Sequence, residues 1–324
     1  ATSGPEVFIK HNPGAGNMQD NDVIALLQFQ GVDAGNNETL FSSIRAVAAD
    51  VTSTEEKGDL AFWTCNGSDF LERFRIDSSG RLLIGIATTS TVFGIKPRLQ
   101  VEGVDSHTST CSLTRNSANA HGSYLTFGKS RGTSTAATTI VQNDDTIGTI
   151  TFNGADGTNL DHVFAEIKGQ VDGTPGENDV PGRLTFFTTP DGASGGTERF
   201  RIANNGDLTA TDNSIGSNSD ERLKKNIADF TYDLEKFKQY KPKTFDWKNP
   251  SAHNGKTGNR GFLAQDVKSV DDKWVGEIDI PEGNLDYDII SDNVSLTSKL
   301  GDKDAMYISV IQQLITKVET LEAE

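Results

Sequence analysis

Gln19 to Gly31 reads QDNDVIALLQFQG, and Gln142 to Gly154 reads QNDDTIGTITFNG, one pattern repeated at an offset of 123. The correspondence continues. GDLAFWT (Gly58 to Thr64) matches GRLTFFT (Gly182 to Thr188), and Arg73-Phe74-Arg75-Ile76 matches Arg199-Phe200-Arg201-Ile202, with small loop insertions widening the offset to 126. A repeat this long exceeds any solenoid unit, so it reads as two tandem modules, roughly 5–85 and 122–210. Each has a period of two. Leu184, Phe186 and Thr188 alternate with Thr185 and Phe187, and Ile150 and Phe152 alternate with Thr149 and Thr151, which is strand patterning. Ser79-Gly80 and Asn205-Gly206 interrupt short strand-like runs, and Asn-Gly supplies the positive φ angles of a tight hairpin turn. RLQVEG (Arg98 to Gly103) is a further strand candidate between the modules, beside a polar Ser/Thr/Asn run.

Composition narrows the class. The 324 residues carry 46 acids against 30 bases, a net charge of -16, 32 Gly and only 35% hydrophobic residues. Such a negative balance disfavours a phosphate backbone, so no nucleic-acid partner is expected. The longest apolar runs, such as Leu82 to Ala87, are far too short for a bilayer, and no membrane insertion is expected. ATSGPEVFIK at the N-terminus lacks a basic n-region and an apolar h-region, so no secretory signal is expected. Cys65 and Cys111 stand 46 residues apart and form neither a disulfide framework nor a zinc site. Short strands with so little apolar content struggle to bury a core alone, and oligomerisation is the expected remedy.

The texture changes near residue 217. Residues 219–324 hold 13 Lys, against 5 in 1–218, while Gly falls from 26 to 6. Net charge divides as -11 and -5. Three regions follow: a first β-module over 1–100, a second over 101–216, and a distinct domain over 217–324. Helix-like patterns occur at Asp220 to Gln239 and at Ala305 to Glu324.

SNSDERLKKNI (Ser217 to Ile227) marks the boundary. On local physics it starts a helix: Ser219 is a good N-cap, Asp220 and Glu221 suit the positive end, and Lys224 and Lys225 follow one turn later. A sharper reading is a Ser219–Lys224 dyad. Lysine acts as a base only when its ammonium is destabilised, and nearby cations (Arg222, Lys225) with desolvation push that way. Spacing alone does not show that hydroxyl and amine meet.

SDERLKKNI, then YDLEKFKQYKPKTFDWK (Tyr232 to Lys248), then GFLAQDV (Gly261 to Val267), then a terminal coiled-coil pattern occur in this order. This series resembles the self-cleaving intramolecular chaperone at the C-terminus of phage tail spikes, tail fibres and endosialidases. The resemblance covers about 219–324. It implies that Ser219 is the nucleophile, Lys224 its base, and Asp220, Arg222, Lys225 and Ile227 supporting positions. The implied fold is a mainly β, elongated homotrimeric fibre of tandem β-modules, followed by an α+β chaperone domain ending in a coiled-coil helix. The implied life history is assembly in the host cytoplasm, one cut beside Asn218-Ser219-Asp220, and incorporation into the virion tail. Attack by Ser219 on the preceding carbonyl closes a five-membered ring and on its own carbonyl a four-membered one; the family's usual Ser-Asp junction leaves the side open. Implied partners are two further copies, other tail proteins and a host cell-surface glycan or protein receptor.

The last helix argues for oligomerisation separately. Ile311, Leu314, Val318 and Leu321 follow a 3-4-3 spacing, with Tyr307 one step earlier. β-Branched residues at a with Leu at d favour two strands, whereas the resemblance implies three; two heptads are too short to set the number. A helix packed on its own domain is the alternative.

Other motifs weigh less. NGKTG (Asn254 to Gly258) lacks the upstream Gly of a phosphate loop and reads as a surface turn. The five His residues are scattered without ligand spacing, so neither metal nor cofactor is expected. Asp20-Asn21-Asp22 and Asn143-Asp144-Asp145 read as turns in preference to calcium sites. Phe62, Trp63, Phe186 and Phe187 read as module core, with sugar stacking the lesser reading. The function expected is a receptor-binding tail fibre matured by its own chaperone. The rival is a polysaccharide-degrading tailspike with paired carboxylates, although no pair stands out.

Overall fold

A computed structural model describes residues 9, 18–67, 69–212, 220–250, 257–280, 289, 294–298 and 303–323. Two compact units are present. The first holds Ala1–Thr139, Thr146–Gly169 and Phe186–Glu198, and the second Ile140–Asp145, Gln170–Thr185 and Arg199–Glu324. The fold is mainly β.

The first sheet is a meander of β1 (Val23–Val32), β2 (Glu38–Asp50), β3 (Lys57–Asn66), β4 (Asp69–Ile76) and β5 (Leu82–Ile84), to which β6 (Leu99–Val101) adds in parallel. Register decides what each face carries, because residues directly opposite share a face. Leu27, Ile44, Phe62, Phe74, Ile84 and Val101 lie in one row across the six strands. Ala46, Leu60, Ile76, Leu82 and Leu99 lie in the next row. Those two rows are apolar throughout, and the polar pair Ser42 and Thr64 lies one row further along the same face.

The opposite face carries Arg45, Ala61, Arg75, Leu83 and Gln100 in one row, and it is the covered one. Ala61, Leu83 and Ser43 are fully buried there. Arg75 bonds Asp59 and Glu72, each at 2.7 Å, and Arg45 stacks 3.9 Å from the centre of the Trp63 ring. The β5–β6 connection folds back, with the Thr89 hydroxyl donating to Gln100 Oε1 at 2.8 Å. Charged side chains thus cover small residues with their stems, while the apolar face stays open. Phe29 is 48% exposed and Leu27 51%.

The second sheet has the order β11-β10-β9-β8-β7, from β7 (Thr146–Asn153), β8 (Val163–Val171), β9 (Gly182–Thr188), β10 (Thr197–Ile202) and β11 (Leu208–Ala210). It repeats the first five strands in detail. Asn21 and Asp144 both take positive φ, and Gln19 and Gln142 N–H donate to Asp22 and Asp145 at 2.9 Å. The acidic triplets therefore act as turn residues. Thr185 is buried like Ala61, and Phe152, Phe164, Leu184 and Ile202 are exposed like Phe29, Phe41, Leu60 and Ile76. Lys168 lies 4.3 Å from the centre of Phe187, as Arg45 does over Trp63. The aromatic faces suggested for sugar stacking are thus partly occupied by the chain's own cations. The glycine ending each repeated motif has a reason too. A Cβ on Gly31 would fall 3.0 Å from the Phe41 ring, and one on Gly154 2.8 Å from the Phe164 ring.

The repeats diverge at one buried charge. Asp59 of the first is Arg183 in the second, which cannot pair with a second arginine across the sheet. Arg183 instead bonds Asp172 at 3.0 Å and Asp144 at 2.8 Å.

The hairpin turns differ from the expectation of a two-residue Asn-Gly turn. Asp77 N–H bonds Arg81 O at 3.0 Å and Gly80 N–H bonds Asp77 O at 2.8 Å; Ala203–Asp207 and Gly206–Ala203 repeat this at 3.0 and 2.9 Å. These are three-residue loops in which only Gly80 (φ 73°) and Gly206 (φ 82°) take the left-handed conformation, the glycine-bulge form.

The C-terminal part begins with a 3-10 turn at Glu221–Leu223, then α1 (Leu234–Phe237), β12 (Lys243–Phe245) and β13 (Asn259–Gly261). There follow α2 (Ala264–Val270), a 3-10 turn at Asp272–Trp274, β14 (Val275–Asp279), β15 (Val294–Ser298) and α3 (Lys303–Glu322). β12 pairs with β13 and β14 with β15, both antiparallel. This is the expected α+β character with a terminal helix, but the helix pattern over Asp220 to Gln239 yields only a 3-10 turn and the single-turn α1, with extended chain between them. After the 3-10 turn the chain is extended at Lys224 and takes φ 55° at Asn226. Every side chain from Glu221 to Thr231 is exposed, so no buried stripe sustains a helix. Among the described residues, no helix is long and apolar enough to cross a membrane.

Two outcomes follow for the sheets. Gly206→Ala should destabilise by about 1–2 kcal/mol in denaturant titration, since nothing but positive φ opposes a Cβ there. Gly195→Ala, with open space and ordinary φ, should stay within about 0.5 kcal/mol. Asp172 is held below the usual carboxylate range, first by the Asn204 N–H and then by Arg183. A depressed folded pKa stabilises above the unfolded value of about 4 and ceases to do so as pH falls through the folded value. Melting temperature should therefore drop on acidification below about pH 4, and Asp172→Asn should flatten that drop.

Candidate functional site in the C-terminal part

Asn218 and Ser219 lie outside the described residues. Description starts at Asp220, whose carboxylate accepts from Arg222 N–H at 2.9 Å and from its guanidinium Nη2 at 2.5 Å. Arg222 holds Asp220 below the usual carboxylate range, and Asp220 raises Arg222 in return. Lys224 closes the 3-10 turn with its N–H on Glu221 O at 2.9 Å, and its side chain is exposed. Lys225 and Ile227 are exposed too, as are Leu223 and Phe230. The motif thus forms a surface segment with Asp220 and Arg222 joined at its start.

The core of the C-terminal part is a cluster of Tyr232, Val267, Trp274, Val275, Met306 and Val310. The second motif supplies Tyr232, Leu234, Phe237 and Tyr240 to it, and the third supplies Phe262 and Val267. Asp233 caps α1, accepting from Glu235 N–H at 2.8 Å. The Tyr232 and Tyr240 hydroxyls meet at 2.6 Å, and Tyr232 reaches Asp271 at 3.4 Å. Burial pushes both phenols up. This network was not anticipated from the sequence, although two tyrosines eight apart in YDLEKFKQY were the available signal. Phe237, Tyr240, Phe262, Trp274, Met306 and Tyr307 line an apolar cavity of about 150 Å³. NGKTG leads into the described Gly258, whose φ is 67° and whose N–H donates to Asp246 at 2.6 Å. Those are turn features.

The terminal helix has two apolar sides. Met306, Ser309 and Val310 are buried against the core. Ser309 Oγ accepts from Tyr232 N–H at 2.9 Å, and Gln313 Nε2 donates to Tyr232 O at 2.9 Å. The seam read from the sequence points elsewhere: Ile311, Leu314, Val318 and Leu321 are 50–70% exposed, and Tyr307 is 39% exposed. Met306, Ser309 and Val310, which dock the helix on its own domain, are therefore different residues from Ile311, Leu314, Val318 and Leu321, while Tyr307 takes part in both, its ring meeting Phe237 edge-on at 6.4 Å.

Residues 219–276 match the family model for the chaperone of endosialidase. The match begins at Ser219 and takes in all three sequence motifs. The chain is also similar to the carboxy-terminal domain of the bacteriophage T5 L-shaped tail fibre, at 16% identity over 71% of this chain and 94% of that one, with a TM-score of 0.53. That likeness shows a shared fold. A second similar structure is the same T5 domain with its intra-molecular chaperone domain, at 13% identity over 99% of this chain and 98% of that one, with a TM-score of 0.48. No curated protein sequence matches.

The two sides of α3 should separate in mutants. Met306→Ala should cost about 2–5 kcal/mol of domain stability by thermal or denaturant unfolding. Ile311→Ala and Leu314→Ala should leave the dilute single chain within about 0.5 kcal/mol of the parent, and should lower the association constant instead.

Proposed function

We propose that the chain is a phage tail-fibre component that three copies assemble through the C-terminal chaperone segment, and that Ser219 with Lys224 cuts the chain once. The observation that carries this reading is the chaperone match over 219–276, joined to a helix whose heptad seam stays exposed after its other side has docked. Tail-fibre identity draws further support from the fold shared with the T5 domain. On this reading 1–100 and 101–216 are the β-modules and 217–324 the helper. The mature fibre sits in the virion tail with other tail proteins and contacts a glycan or protein of the host surface.

The chemistry is a single turnover. Neutral Lys224 accepts the Ser219 hydroxyl proton as Oγ attacks a neighbouring carbonyl. On the Asn218 side the peptide C–N bond breaks as the ester forms, and the proton returns to the released Ser219 amine. Water then hydrolyses the ester, giving a carboxylate on Asn218 and restoring the hydroxyl. In one chain Lys224, Leu223 and Ile227 are exposed, so the desolvation a lysine base requires comes from packing of the copies. Cleavage is thereby tied to assembly. Once the helper is gone, the fibre is held by its unfolding barrier.

The wild-type chain should give fragments of about 1–218 and 219–324 on a denaturing gel, while Ser219→Ala and Lys224→Ala stay whole. Light scattering on both variants should still give three times 34.9 kDa. Persistence of the cut in both variants rules out the dyad.

A further inference from the structure

The connection from β6 to β7 is extended and solvent-facing. Every residue from Glu102 to Lys129 is exposed. Between residues 109 and 130 there is no backbone-to-backbone hydrogen bond among the described residues; two amides, of Asn119 and His121, find only local side chains. A structureless connection of this length is unusual in a folded domain.

Its sequence is that of two strands. CSLTR (Cys111 to Arg115) and SYLTF (Ser123 to Phe127) alternate and are rich in Thr, Leu and aromatic residues, while NSANAHG (Asn116 to Gly122) between them has turn composition. Strand-forming sequence is therefore present without a strand partner. Leu113, Tyr124 and Leu125 are 58–71% exposed. The far end is fixed: a Cβ on Gly148 of β7 would fall 2.4 Å from Phe127 Cβ. Gly148 shares its side of β7 with Ile150 and Phe152 by strand alternation. Phe127 thus leads the ribbon onto the open apolar face of the second sheet.

We infer that residues 109–130 are shared between copies: Cys111–Arg115 and Ser123–Phe127 become strands by hydrogen bonding to the backbone of a second copy of this chain. Leu113, Tyr124 and Leu125 then cover apolar surface there. A second copy is the fitting occupant for two reasons. The ribbon offers unused backbone donors and acceptors, and the sheets offer a half-exposed apolar face that recurs in both repeats and so matches the same face of another copy. The inference rests on the trimeric reading and deepens it by naming the surface.

Amide hydrogen exchange on the assembled full-length chain tests it, with light scattering on the same sample. Amides across 111–115 and 123–127 should exchange at least about 100-fold more slowly than in the unfolded chain, a protection that solvated backbone does not show. A sample of three chains in which these amides exchange at the unfolded rate overturns strand sharing and leaves the trimer standing. A sample that stays single-chain overturns both readings. As a second measurement, Thr126→Pro removes one N–H from a segment that makes no bond in the single chain. It should speed dissociation of the oligomer in denaturant about tenfold or more, and unchanged dissociation counts against the pairing.

Discussion

The side of the sheet that a single chain can cover is the wrong one for hydrophobic burial, and the rest of the structure depends on this. In the first sheet, Ala61, Leu83 and Ser43 are sealed beneath Arg45, Arg75 and their partners. The row of Leu27, Ile44, Phe62, Phe74 and Ile84 faces the other way. A buried Leu or Phe contributes roughly 1.5–3 kcal/mol, so leaving such a face half-wet forfeits most of what could stabilise the module. Closing it requires a second apolar surface of the same geometry, and another copy of the same face is one.

Duplication makes that surface repeat along the chain. The conserved features of the two repeats are those that shape the sheet: the positive-φ turn at Asn21 and Asp144, the phenylalanine over Gly31 and Gly154, and the cation over Trp63 and Phe187. The charge pairs have been free to change. Asp59 and Arg75 exchange charge across two strands, whereas Arg183 turns to Asp172 and Asp144. What persists between repeats is backbone conformation and shape, and what drifts is the identity of the ion pair, since any buried charge needs only some partner.

The repeat, its strands and the terminal helix were legible in the sequence because each is a pattern over many residues. Single-residue geometry was less so. Asn205-Gly206 suggested two positive φ angles, yet the loop uses one, since a glycine bulge and a two-residue turn share the same signal. DERLKK has the caps and charges of a helix start, and Asp220 does cap Arg222. Capping lowers the cost of a first turn only; with Leu223, Ile227 and Phe230 all exposed, nothing tertiary supports a second turn. The Tyr232–Tyr240–Asp271 contact joins one motif to a residue some thirty positions further on; the tyrosine pair is visible in YDLEKFKQY, but Asp271 as its partner has no local signature. CSLTR and SYLTF are the reverse case, strand-like in sequence and unpaired in one chain.

Exposure is common to the sheets and to the segment that follows them. The segment carrying Lys224 is exposed in the same chain whose sheets leave apolar faces open, so both are incomplete in the same sense. A base such as lysine needs water removed from around it, and a half-wet sheet face needs the same. Under the proposed assembly one event supplies both: bringing copies together buries the sheet faces and dries the Lys224 segment. On that proposal the cut would depend on association, and the dependence would act as a physical safeguard. A helper released before the faces met would leave exposed Phe and Leu on β-sheets, the surface most prone to non-specific association, whereas release after closure leaves those faces already covered.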